Sequence, residues 1–279
     1  MTLEPFGARL RHAMDTRGPL CVGIDPHASL LTSWGLNDDI AGLERFTRTV
    51  VEALADRVAV LKPQSAFFER FGSRGIAVLE KAVEESRAAG ALVLMDAKRG
   101  DIGSTMGAYA ATYLDKDSPL FSDAVTVSPY LGFGSLRPAL DAAAVSGAGV
   151  FVLALTSNPE GAEVQRATAA DGRSLAQLML EHMAAENEGA APLGSVGAVV
   201  GATLGDAGVD LAINGPLLAP GIGAQGATPA DLPAVFGDAV GNVVPSVSRG
   251  VLRHGPDASA LREAAERFAD EVRRAVSGT

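Results

Sequence analysis

The sequence predicts an α/β fold, a (β/α)8 TIM barrel forming one domain over residues 1–279. Three observations predict it. Short apolar runs recur along the whole chain, segments of helical period separate them, and nearly every run ends in polar, Gly or Pro residues. The runs are eight: PLCVGID (19–25), VAVLKPQ (58–64), ALVLMDAK (91–98), AVTVSPY (124–130), GVFVLALTS (149–157), VGAVVGAT (196–203), LLAPGIG (217–223) and NVVPSVSRG (242–250). They are continuously apolar rather than alternating, as expected for parallel strands buried on both faces.

Taken in order, the N-terminal MTLEPFGARLRHAMDTRG is charged and helical in pattern, without the apolar centre of a signal peptide. The first run ends at Asp25 and opens a long loop in which Trp34 reads as local packing. LERFTRTVVEALADR then leads, as an amphipathic helix, to the second run and its Lys62. GIAVLEKAVEESRAAG closes on a Gly at the C-cap position before the third run. After the fifth run, the stretch from about 160 to 195 is longer than one crossover helix needs. Extra rim helices are therefore expected after strands one and five. A doubly wound open sheet is the alternative. The polar ends favour the barrel: Asp25, Lys62, Asp96 with Lys98, Ser128, Ser157, Thr203, Gly221 and Arg249 would collect on one C-terminal rim, where barrels place their chemistry.

Composition bounds the function. Hydrophobic residues make up 47% and charged residues 20%, a globular balance with ample core, and the net charge is -10. That charge argues against a nucleic-acid or anionic-membrane surface, so an anionic ligand would need a local basic pocket. No segment reaches the roughly 20 apolar residues of a membrane span, and a cytoplasmic protein is expected. The single cysteine, Cys21, excludes an internal disulfide and a Cys-rich zinc site. Its neighbours are apolar, so it reads as a small buried strand residue rather than a nucleophile. His12, His27, His182 and His254 form no motif and read as surface or helix-end residues.

The third run carries the densest chemistry. In LVLMDAKRGDIGST an apolar strand ends in Asp96, Lys98, Arg99 and Asp101. Residues two apart on a strand face the same side, so Asp96 and Lys98 are expected to point together into the barrel mouth. Lys62, on the adjacent strand, can reach the same place. Lys62, Asp96, Lys98 and Asp101 then form an alternating set of charges, each kept ionised by an opposite neighbour. Such a set can be a structural ion network, or it can tune an acid–base lysine. A Schiff-base lysine is a third reading. It needs a depressed pKa, whereas adjacent carboxylates keep a lysine protonated and able to donate a proton.

Two more rim segments invite a ligand. LLAPGIGAQG ends the seventh run with glycines whose amides can approach a phosphate, and SVSRG places Arg249 beside it. Gln225 can add a side-chain amide. Turn geometry alone also explains a GxG. In LTSNPEGAE, Thr156, Ser157 and Asn158 can bond the amide edge of a heteroaromatic ring or simply cap the next helix. Asp25 can bind a sugar hydroxyl or cap a helix.

These segments, in this order, resemble one family. MDAKRGDIGST is similar to the D-x-K-x-x-D signature of the orotidine 5′-phosphate decarboxylases, LKPQ to their second-strand lysine motif, and LTSNPEGAE to their pyrimidine loop. PGIGAQG with SRG resembles their phosphate site, and GIDP fits as well. The likeness runs from about residue 20 to 250 and is closest to the longer bacterial branch, type 2. It implies a cofactor-independent carboxy-lyase converting orotidine 5′-phosphate to UMP and CO2, the last step of de novo pyrimidine nucleotide synthesis. It also implies a homodimer with a shared active site. On that resemblance, Lys98 protonates C6, Asp96 sits beside the departing carboxylate, and Lys62 pairs in the network and contacts ribose. Asp101 comes from the neighbouring subunit, with Ile102 and Thr105 lining the same pocket. Ser157 contacts the pyrimidine, Gln225 and Arg249 hold the phosphate, and Asp25 meets a ribose hydroxyl. No metal or organic cofactor, no nucleic acid and no membrane is expected. Magnesium-dependent sugar-phosphate decarboxylases share D-x-K-x-x-D, but would be expected to offer a carboxylate where Lys62 stands.

Overall fold

Eight parallel strands close into one barrel. They are β1 (Cys21–Ile24), β2 (Val60–Pro63), β3 (Leu92–Arg99), β4 (Ala124–Val127), β5 (Gly149–Leu155), β6 (Val196–Val200), β7 (Leu217–Pro220) and β8 (Val243–Val247). Each pairs with the next, and β8 returns to β1. The structure, a computed structural model, describes residues 4–205, 207–223 and 226–277.

Each predicted apolar run contains one strand, and in all but the third the strand stops short of the run's polar end; β3 continues one residue past it, to Arg99. The pattern looks continuous because two period-two patterns are superimposed. On β3, Val93, Met95 and Ala97 face the helices, while Leu92 and Leu94 face the barrel interior. On β1, Val22 and Ile24 face out and Cys21 faces in.

The helices in chain order are α1 (Phe6–Arg17), α2 (Ala28–Ser33), α3 (Ile40–Leu54), α4 (Ala66–Glu69), α5 (Gly72–Ala88) and α6 (Gly103–Leu114). They continue with α7 (Arg137–Ser146), α8 (Ala162–Gln165), α9 (Leu175–Glu186), α10 (Leu232–Phe236), α11 (Arg249–Leu252) and α12 (Ala258–Ser277). The short α2 follows β1, and α8 precedes α9 after β5. Side-chain caps set two of the starts: Asp39 accepts from the Gly42 amide before α3, and Ser174 from the Gln177 amide before α9.

One crossover departs from the strand–helix alternation. Between β6 and β7 the described residues of 201–216 form no helix. Gly205 and Gly208 take positive φ, Asn214 does too at 49°, and Pro216 follows. Leu211 and Ile213 are buried singly rather than on a helical stripe.

Helix α1 plugs the N-terminal end. Phe6, Leu10, Ala13 and Met14 join the interior cluster, and the Phe6 ring meets Phe151 edge-on at 5.9 Å. Position 149 must stay Gly because a Cβ there would lie 2.3 Å from the Phe6 ring. Arg9 locks the plug by pairing with buried Asp123 (2.5 Å) and donating to the Gly147 carbonyl (2.9 Å). Helix α1 thus closes the end of the barrel opposite the polar C-terminal rim.

Candidate active site

The rim chemistry begins where the interior stacking turns polar. Two residues past Val60 on β2 comes Lys62, two past Leu94 on β3 comes Asp96, and two past Ala124 on β4 comes Thr126. All three are buried. Lys62 Nζ lies 2.7 Å from Asp96 Oδ2, and Lys98 Nζ lies 2.5 Å from Asp96 Oδ1. One carboxylate thus joins two ammonium groups. Their exposure differs: the Lys62 and Asp96 side chains are 7% and 8% exposed, the Lys98 side chain 43%. Lys62 is held in the wall, while Lys98 faces the open mouth.

Asp96 and Lys98 do meet, but not through the regular pleat that the sequence implied. The β3–β4 register shifts between Met95 and Arg99, and Lys98 sits at φ 48° in the left-handed region. A lysine there stores about 1–2 kcal/mol of strain. The Lys98 amide donates to Thr126 Oγ1 (3.0 Å), and that hydroxyl donates to Asp96 Oδ1 (2.9 Å).

The electrostatics keep this cluster charged. Burial alone would push the Lys62 ammonium down, but the carboxylates of Asp96 and Asp25 outweigh it and hold it above the usual lysine range. Burial alone would push Asp96 up, yet Lys62 and Lys98 hold its carboxyl well below the usual range. Beneath them Cys21 is fully buried, and burial pushes its thiol up to about 12. It is a neutral core residue.

The other predicted residues fall at distinct places on the rim. Asp25 follows β1. Its Oδ1 is buried without a hydrogen-bond partner among the described residues, a costly state unless a ligand completes it. Asp101 does not join the ion cluster within one chain; its Oδ1 accepts from the Ile102 amide at 2.8 Å. Ile102 is 63% exposed at the start of α6, with Thr105 exposed in the first turn. Ser157 stands past β5 against Gly201, where a Cβ would come within 3.1 Å of the Ser157 amide. Beside it, Thr156 Oγ1 donates to Asn158 Oδ1 (2.6 Å), and Gln165 bonds Thr156 twice, so this loop is braced by its own polar atoms.

The loops after β7 and β8 come together. Gly221 and Gly223 take φ of 109° and 80°, which only glycine adopts readily. A Cβ on Gly223 would reach within 4.0 Å of Gly250, the residue next to exposed Arg249. Gln225 lies outside the described residues. Trp34 proves to be more than local filling, since its Nε1 donates to the Leu252 carbonyl (2.9 Å) and steadies α11, which carries Arg249. Among the histidines, His182 stacks on Phe133 and His27 meets Phe67 edge-on.

Thr126 is the site residue that sequence reasoning missed. Ser128 was expected as the polar end of that run; the inward hydroxyl two residues earlier is the one that reaches the cluster. Its signal was a hydroxyl in an apolar run, two past an inward position. Among the described residues no group of three or more His, Cys, Asp or Glu side chains could hold a metal.

Comparison with known proteins places the whole chain in one family. The model of the "Orotidine 5′-phosphate decarboxylase / HUMPS family" matches residues 18–264. Orotidine 5′-phosphate decarboxylase of Streptomyces coelicolor is 77% identical over 278 residues, covering 99% of this chain and 100% of that protein. The Salinispora arenicola enzyme of the same name is 64% identical over the same length, with the same coverage. A crystal structure from Streptomyces avermitilis, assigned to the same enzyme, superposes with a TM-score of 0.98 at 77% identity, covering 99% of this chain and 98% of that one.

Proposed function

The chain belongs to the orotidine 5′-phosphate decarboxylase family, and on that premise we propose that it converts orotidine 5′-phosphate to UMP and CO2. The observation that carries the reading is Asp96 clamped between a buried and an accessible lysine at the barrel mouth.

The chemistry asks for such a pair. Breaking the bond from C6 to the carboxylate leaves its electrons on C6 as CO2 departs, with no adjacent electron sink. The Lys98 ammonium stabilises that charge and then gives C6 its proton. Counter-charge and proton come from one side chain, so this reading needs no metal or organic cofactor. Lys62 keeps Asp96 ionised and in place, and Asp96 lies beside the departing group. Orotidine 5′-phosphate would extend from this cluster past Asp25, which meets a ribose hydroxyl, to Arg249 and Gln225 at the phosphate. Ser157 would meet the pyrimidine edge.

Magnitudes decide what else is needed. Enzymes reach accelerations of up to roughly 10¹⁷-fold, about 23 kcal/mol. One hydrogen bond to a charged group contributes about 1.5–3 kcal/mol. Most of the stabilisation must therefore come from elsewhere, and binding energy at the remote phosphate can drive closure and desolvation around the ring. We further read the active form as a homodimer in which Asp101, Ile102 and Thr105 reach the neighbouring site, acting in the cytoplasm on the last step of pyrimidine nucleotide synthesis.

The test follows loss of the orotate chromophore in the ultraviolet with orotidine 5′-phosphate, in EDTA, beside Lys98→Ala. Turnover by the wild type alone is expected, with UMP still bound by the variant. A folded wild type that turns over only sugar phosphates with added magnesium would overturn the reading.

A further inference from the structure

We propose that Thr126 is a positioning residue for this decarboxylation, its hydroxyl holding the Lys98 backbone and the Asp96 carboxylate in register; the inference rests on the function proposed above. Thr126 lies inside the barrel at 1% exposure, on the strand next to Lys98 and Asp96. A buried threonine commonly does no more than satisfy local backbone. This one has both its bonds on the reacting pair: it accepts from the Lys98 amide and spends its only proton on Asp96 Oδ1.

Those bonds close a ring. From the Lys98 amide the path runs through the Thr126 hydroxyl to Asp96 Oδ1 and returns through the Lys98 ammonium. Each member limits the others. The amide bond fixes Lys98 in its left-handed turn where the β3–β4 register breaks, and that turn aims the side chain at the mouth. The bond to Oδ1 fixes the plane of the carboxylate, so that one oxygen faces Lys98 and the other faces Lys62. Without the hydroxyl, the Lys98 amide loses its side-chain partner, and the turn and the carboxylate plane are held only by the two ammonium contacts.

Thr126→Val keeps the shape and removes the hydroxyl; Thr126→Ser keeps the hydroxyl and removes a methyl. A displacement of about 1 Å at the reacting group costs roughly 100-fold in rate, and a loss of that order in kcat is expected for Thr126→Val. KM is expected to stay within about two-fold, because the phosphate contacts are distant and unaltered. Thr126→Ser is expected to hold kcat within about three-fold, even though a lost buried methyl lowers its melting temperature. A merely structural role predicts lower melting temperatures in Val and Ser alike, with kcat unchanged in both well below them. UMP binding checks that each variant is folded. Should Thr126→Val not fold, Thr126→Cys, with its weak S–H donor, replaces it and is expected between Ser and Val in kcat. Wild-type turnover with an unimpaired Thr126→Val, or equal loss in Val and Ser, overturns the inference alone. No turnover by the wild type overturns the function reading and this inference with it.

Discussion

Asp96 is the common partner of two ammonium groups, and its loss has a different cost from theirs. Removing one member of a buried pair strands the other charge, at about 3–5 kcal/mol. Asp96→Asn strands Lys62 and is expected to destabilise by the lower part of that range, since Asp25 also acts on Lys62. Lys98→Ala leaves the Lys62–Asp96 pair whole and removes a group that water reaches, so less than about 1 kcal/mol is expected. Urea midpoints at neutral pH compare the two, and equal shifts would contradict the assignment. The pH dependence has a definite sign. A carboxyl held low in the fold contributes stability above its unfolded value of about 4, and that contribution fades as pH falls through the folded value. The gap between wild type and Asp96→Asn should therefore narrow in acid. Strand period made Lys62 and Asp96 legible in the sequence. The left-handed turn at Lys98 was not, because such turns ordinarily take Gly, Asn or Asp and leave no mark in a lysine. Thr126 was lost for a related reason: a hydroxyl in an apolar run fits many roles.

Among the elements, α1 shows how far the site depends on the rest of the barrel. The helix seals the end opposite the chemistry, and Phe6 is its largest buried anchor, packed edge-on against Phe151. Phe6→Ala is expected to cost about 3–5 kcal/mol, because the rigid barrel wall cannot collapse into the space. A lower melting temperature with unchanged kcat well below it is the expected result; a parallel fall in kcat would show that α1 also shapes the mouth. The strands were legible because each is buried on both faces and bounded by polar or Gly/Pro residues. The 201–216 crossover was not, because an expected alternation of strand and helix overrode its own glycines. What the runs could not fix was where each strand stops. The polar ends of the fifth and seventh runs belong to the rim loops rather than to the ladder, whereas Lys62 stays within β2.

On the scale of the whole molecule, the proposed shared site turns on where Asp101 stands. Asp101 sits on the rim bonded only to its own loop among the described residues, while the ion cluster within the chain ends at Lys98. Next to it, exposed Ile102 (63%) lies on the loop after β3, and Tyr130 (77%) and Leu131 (52%) lie on the loop after β4. Single exposed apolar side chains are ordinary. Three on neighbouring loops of one rim are what a second copy of the chain would cover, and a two-fold contact there would bring each Asp101 to the other mouth. The shared site has a quantitative signature. In an equal mixture of Asp101→Ala and Lys98→Ala chains that reassort freely, half of the dimers are mixed. Each mixed dimer has one site with both lesions and one with neither, so about a quarter of wild-type activity should return from two inactive parents. Sites built within one chain would return nothing from the same mixture. Activity measured after brief denaturation and refolding, with heterodimers verified by distinct tags, separates the two. A quarter restored would complete the alternating set of Lys62, Asp96, Lys98 and Asp101 across two subunits, whereas none restored would confine catalysis to the cluster that one chain already holds.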